Sequence, residues 1–123
     1  MNPHNTEFTR HTLERDDDLP LTFTGWVIGA GITFGHCGRQ CVVTIYRTAG
    51  DHIIAYVDMH TLDPQGHLLD QGPRTASPPG SSSDVLAWLR KSNGGRLGMA
   101  SVKAWERACI TCPDLGDAVE EVI

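Results

Sequence analysis

Apolar and polar positions alternate in three separate stretches of the chain. Leu21, Phe23 and Val27 interleave with Thr22, Thr24 and Trp26, and similar runs span Cys41 to Arg47 and His52 to Met59. A period of two marks pleated strands that pack one face inward. In the third run Ile53, Ala55, Val57 and Met59 share one face, and His52, Ile54, Tyr56, Asp58 and His60 share the other. Thr48-Ala49-Gly50-Asp51 joins the last two runs, and its glycine can supply a positive φ, so a hairpin is expected. The pattern predicts a three-stranded antiparallel meander near 21–28, 41–47 and 52–59, with the strand at 21–28 on an edge.

The pattern then breaks. Residues 62–83 are dominated by Pro, Gly, Ser, Asp and Gln, which predicts a long loop, with His67-Leu68-Leu69 as a short extra strand inside it. Helical spacing follows. Ser81 with Asp84 three residues later approximates a capping box, Val85, Leu86, Trp88 and Leu89 form an apolar stripe, and Asn93-Gly94-Gly95 ends it. Ser101 is the expected cap of a second helix carrying Val102, Trp105 and Cys109, which Pro113 stops. Asp114 would open a short third helix bearing Leu115, Val119, Val122 and Ile123. Strands first and helices after predict an α+β fold, with two or three short helices packed on one sheet face.

Residues 1–19 read as a flexible acidic arm because Asp16-Asp17-Asp18 repels itself and favours solvation. Residues 20–123 then form one domain, as their length suits a single core. The chain carries a net charge of −5, with ten basic residues thinly spread. Phosphate-backbone binding needs a clustered basic face, so direct nucleic-acid contact is not expected. The longest apolar stretch, Trp26 to Phe34, is too short and glycine-rich to span a membrane. The first residues lack the basic and apolar regions of a secretory peptide, which points to a reducing cytoplasm.

Two cysteine pairs carry the reactive chemistry, Cys37-x3-Cys41 and Cys109-x2-Cys112. They admit a four-thiolate zinc site with His36 as a spare ligand, two local disulfides, or buried thiols. Cys109 falls on the Trp105 packing stripe while Cys37 and Cys41 fall in a turn, so the two pairs are not expected to share one metal. Apart from zinc, no cofactor is implied. Trp26-Val27-Ile28-Gly29-Ala30-Gly31 imitates a dinucleotide fingerprint, but the following Phe34-Gly35-His36-Cys37-Gly38 leaves no room for the phosphate-binding helix. A glycine-rich bend or bulge between antiparallel strands is the expected structure. His36, His52, Asp58 and His60 could assemble a metal or general-base site, although alternating polar residues are what a half-solvated sheet requires.

Phe23-Thr24-Gly25 through Ile28-Gly29, followed by Ile45-Tyr46-Arg47-Thr48-Ala49-Gly50, resembles the strand pair of the small actinobacterial EXLDI family over residues 22–60. Val119-Glu120-Glu121-Val122-Ile123 departs from the terminal signature that names that family. The resemblance implies a strand order and no activity.

The function that suits these features is a non-enzymatic binding module for a protein partner. Trp26, Tyr46 and Tyr56 are its expected exposed aromatics, and Asp16, Asp17 and Asp18 its acidic contacts. The edge at 21–28 could pair with a second copy. Two alternatives remain. One is an acidic inhibitor from a mobile element that fills a basic groove on a nucleic-acid-handling machine. The other is a small metal-dependent enzyme using His36, His52, Asp58 and His60.

Overall fold

The computed structural model describes residues 8–115. Five strands form one antiparallel sheet in the order β1-β2-β3-β4-β5. They are β1 (Thr9–Leu13), β2 (Leu21–Phe34), β3 (Arg39–Thr48), β4 (Ile53–Leu62) and β5 (Leu68–Ala76). Two helices follow, α1 (Ser82–Lys91) and α2 (Met99–Thr111), giving an α+β fold. No helix among the described residues is long and apolar enough to cross a membrane.

The β3–β4 hairpin has the expected register, with Val43 opposite Val57, Ile45 opposite Ala55 and Arg47 opposite Ile53. Ile53 is buried and Asp58 partly exposed as expected, whereas Val57, expected to be buried, is likewise only half-buried and packs at the margin of the core. The turn differs in one respect, because Asp51 rather than Gly50 takes the left-handed conformation, at φ 66. Arg47 holds it there, donating from Nε to the Asp51 carboxylate at 2.8 Å.

Three expectations are corrected. Thr9–Leu13, expected in a flexible arm, is a strand paired along Leu21–Gly25, so residues 21–25 are interior to the sheet. Leu68–Ala76, expected within a loop, is a nine-residue strand paired with β4. It tolerates Gly72 and Pro73 because it is an outer strand with register shifts, where a missing donor breaks no ladder. Thirdly, Ser101 does not cap α2. That helix begins a turn earlier at Gly98, and Ser101 is buried inside it. The Ser81–Asp84 capping box is present, with reciprocal bonds of 3.2 Å, and Gly94 and Gly95 leave α1 with positive φ. Past Pro113 the chain makes a short 3-10 turn to Leu115, which is buried; Val119, Val122 and Ile123 lie outside the described residues.

Two buried clusters hold the sheet. Ile28, Val43, Ile45, Ile53 and Ala55 pack with Val85, Leu86 and Leu89 of α1 and Ala100, Ala104, Trp105 and Ala108 of α2. Between Ile28 and α2 the contact is unusually close. A Cβ at Gly29 would lie 2.6 Å from Ala108 N, and one at Gly31 would lie 2.7 Å from Ala104 N. The glycines that imitate a nucleotide motif therefore let the Ala100, Ala104 and Ala108 face of α2 lie directly on the β2 backbone. A bulge between Val27 and Gly29 accompanies them, as the sequence predicts.

The second cluster joins Leu13, Tyr46 and Ile54, with Leu21, Phe23, Tyr56 and Ala76 packed on it. It exists because the sheet curls. β1 and β5 are opposite edges, yet Asp16, three residues past β1, bonds to Arg74 of β5. The bulge bends β2 so that its first half and β1 fold across β3, β4 and β5.

Candidate interaction sites

The acidic run is fixed at one end. Asp16 accepts from the Arg74 backbone N–H at 2.8 Å and from its guanidinium at 3.0 and 3.1 Å, while Asp16 N donates to Arg74 O. These bonds, the backbone one first, hold the Asp16 carboxyl below its ordinary pKa. Tyr56 adds a second tether, its hydroxyl donating to Glu14 O at 2.7 Å. Asp17 and Asp18 line a groove of about 720 Å³, where Asp18 accepts from the Leu19 N–H at 2.7 Å and lies 3.7 Å from the Arg15 guanidinium. Val57, Met59, Trp88, Pro78 and Pro79 give that groove apolar walls, and Arg15 adds one cation at its rim. Sequence reasoning missed the walls, because they come from β4, α1 and the proline loop, which are distant in the chain.

The expected aromatic contacts are redistributed. Tyr46, expected at the surface, is 8% exposed and sits edge-on to His11 and Phe23 at 5.0 and 5.2 Å. Burial pushes its phenol pKa up. Trp26 is half-buried against the helix-side cluster, and Tyr56 is half-buried over the second cluster. The exposed apolar side chains of β2 are instead Val27, Ile32 and Phe34, with Phe34 74% exposed. Alternation within residues 27–34 was the available signal, obscured by the bulge and by the glycines.

The polar face of β4 forms a smaller constellation than expected. Asp58 Oδ1 accepts from Gln71 Nε2 at 2.8 Å and lies 3.5 Å from His60 Nδ1, while His60 Nε2 lies 3.1 Å from Gln40 Oε1. His52 does not join them. It begins the other end of β4, and eight residues of strand at about 3.3 Å each set it about 26 Å away. His36 lies in a 3-10 turn after β2. Among the described residues no group of three or more His, Cys, Asp or Glu is placed to hold a metal.

All four cysteines are free thiols. Cys37 is exposed in a left-handed conformation, φ 58, beside Gly38, and Cys41 is half-buried in β3. Burial first, and the Asp58 charge second, push the Cys41 thiol pKa up. Cys112 is buried at the C-terminal cap of α2, two residues before Asp114, which the Arg47 guanidinium binds. Cys41 and Arg47 are six residues apart in one strand, about 20 Å, so the two pairs occupy opposite ends of β3. Arg47 also clamps Asp114 through two bonds of 3.0 and 3.2 Å, tying the end of α2 to the sheet.

Comparison with protein-family models, curated proteins and solved structures finds no match to this chain.

Proposed function

We propose that this protein is a non-enzymatic interaction module that binds a polypeptide segment carrying basic and apolar side chains. The single observation behind the reading is the acidic groove: Asp17 and Asp18 stand over Val57, Met59, Trp88 and two prolines because Asp16 is locked to Arg74. Apolar walls supply affinity, and a pair of carboxylates selects charge and speeds encounter. In this reading α1 and α2 are one supporting layer behind a single sheet face, and the module works in a reducing cytoplasm.

A photo-crosslinking residue at Ala87, exposed on α1 in an adjoining hollow that shares Pro78, Pro79 and Trp88 with the groove, provides the test. The expected result in cells is a discrete adduct with one polypeptide, reduced at least about 10-fold by Asp17→Lys with Asp18→Lys. An adduct indifferent to that charge reversal, or no adduct, would refute the reading. The acidic-inhibitor form draws on the same carboxylates and predicts binding that weakens steeply with salt, whereas apolar recognition by Trp88 predicts weak salt dependence.

A further inference from the structure

β2 is fourteen residues long, and among the described residues β1 pairs with it only from Leu21 to Gly25. On its outer side residues 26–34 have no strand partner among the described residues, while β3 occupies their inner side. Natural sheets blunt such an edge with proline, inward charges or a covering layer. The other outer strand does so through Pro73 and the Asp16 bonds to Arg74. The β2 edge carries no proline, and beside it Ile32 and Phe34 are exposed.

Above the edge runs the outer flank of α2. A cleft of about 590 Å³ separates Ala30, Gly31 and Ile32 from Lys103, Glu106 and Arg107. Lys103 Nζ donates to Ile32 O at 3.3 Å, so a β2 carbonyl is already served by a side chain that a competing backbone N–H could replace. Lys103, Glu106 and Arg107 take part in no ion pair among the described residues. Two cations against one anion leave this flank positive on a chain of net charge −5.

Sterics decide what can lie there. Adjacent strands are about 4.8 Å apart, whereas helix axes approach no closer than about 8 Å. Gly29 and Gly31 set α2 directly on β2. In an antiparallel β2–β2 pair about a two-fold axis, each copy would bring its own α2 to the same face of the joined sheet, where the two helices would crowd each other. A bare strand brings no such helix and fits this edge better than a second copy does.

We propose that residues 26–34 of β2 receive an extended segment of a partner protein as an added strand, beneath the flank of α2. Its side chains alternate, acidic where they face Lys103 and Arg107 and apolar where they face Ile32 and Phe34. Backbone bonds fix the segment, and the alternating side chains select it. This surface is distinct from the acidic groove and prefers the opposite charge.

The probe is a fluorescein-labelled seven-residue peptide alternating Val and Glu, titrated against the full chain by anisotropy. Two control peptides replace Glu by Lys, or carry N-methyl groups on alternate amides of one edge. The Glu peptide is expected to bind at least about 10-fold more tightly than either control. Lys103→Glu with Arg107→Glu should invert the preference between Glu and Lys peptides, and Asp17→Lys with Asp18→Lys should leave it unchanged. No binding of the Glu peptide, or equal binding of its N-methylated form, would overturn strand addition. A dimer in sedimentation that Phe34→Glu dissolves would overturn it too, by showing a second copy on the edge. None of these outcomes bears on the acidic groove, which the Ala87 crosslink tests separately.

Discussion

Gly29→Ala sets local propensity against tertiary packing, and the two predict opposite signs. Glycine weakens a strand interior relative to alanine by roughly 0.5–1 kcal/mol, so propensity alone predicts a more stable protein. Packing predicts the reverse. The added Cβ would lie 2.6 Å from Ala108 N and closer still to Ala104 O, where ordinary contact begins near 3.4 Å. Both are backbone atoms inside a helix, so no rotamer change can relieve the clash, and α2 must retreat. A gap of about 0.5–1 Å forfeits a quarter to a half of the dispersion energy of the affected contacts. Those contacts include Ala100, Ala104, Trp105 and Ala108 against the sheet. Overpacking of this kind costs about 1–3 kcal/mol, and the upper part of that range applies because the obstruction is rigid. Offset by propensity, the net loss should be about 2 kcal/mol. Urea titration should show it as a lower midpoint with an unchanged slope, and heating as a fall of about 8 °C. Gly35→Ala is the control, since its Cβ would meet nothing nearer than 3.5 Å; it should stay within about 0.5 kcal/mol of the parent. A Gly29→Ala protein as stable as the parent would refute the close approach of α2 to β2.

Three further outcomes are expected. Trp105→Ala should cost about 3–5 kcal/mol, because the ring is 3% exposed in the main cluster; a loss below about 1 kcal/mol in urea would place it outside the core. Arg47 holds the Asp114 carboxyl below its ordinary pKa, chiefly through their hydrogen bonds. A lowered folded-state pKa gives stability that is present above the unfolded value and lost as pH falls through the folded one. Asp114→Asn should therefore destabilise by up to about 1 kcal/mol at neutral pH, as the carboxylate is largely exposed, and the difference should shrink below about pH 4 in acid denaturation. At the cysteines, Cys37 should be alkylated before Cys41 at pH 7, with Cys41 gaining only at higher pH, as mass spectrometry of timed samples would show. A chelator should leave the melting temperature unchanged, because the two pairs stand at opposite ends of β3; unfolding on metal removal would refute that separation.

Local signals were legible where one segment decides its own conformation. The two runs around Thr48–Asp51 alternate with a period of two about a short turn, and a one-residue slip would exchange Ile53 and Ala55 of the helix-side cluster for Ile54 and Tyr56 of the other, so pattern and turn together set that hairpin. Ser81 with Asp84, and Gly94 with Gly95, set the ends of α1 through bonds and dihedrals within a few residues. Other features depend on partners far along the chain. Thr9–Leu13 shows little hydrophobic periodicity and becomes a strand only because Leu21–Gly25 offers it a ladder. Leu68–Ala76 carries glycine and proline that read as loop, yet β4 supplies its backbone bonds. The Asp16–Asp18 run looks like a solvated arm until the curled sheet brings Arg74 within 3.0 Å of it. At Gly29 and Gly31 the sequence predicted a bulge; that they also admit a helix backbone was decided by Ala100, Ala104 and Ala108, about seventy residues later. Composition and period therefore determined the strands of the hairpin, the ends of α1 and the α+β class. The curl, the acidic groove and the close seat of α2 on β2 were decided by tertiary packing, because each joins groups whose separation in sequence carries no record of their separation in space.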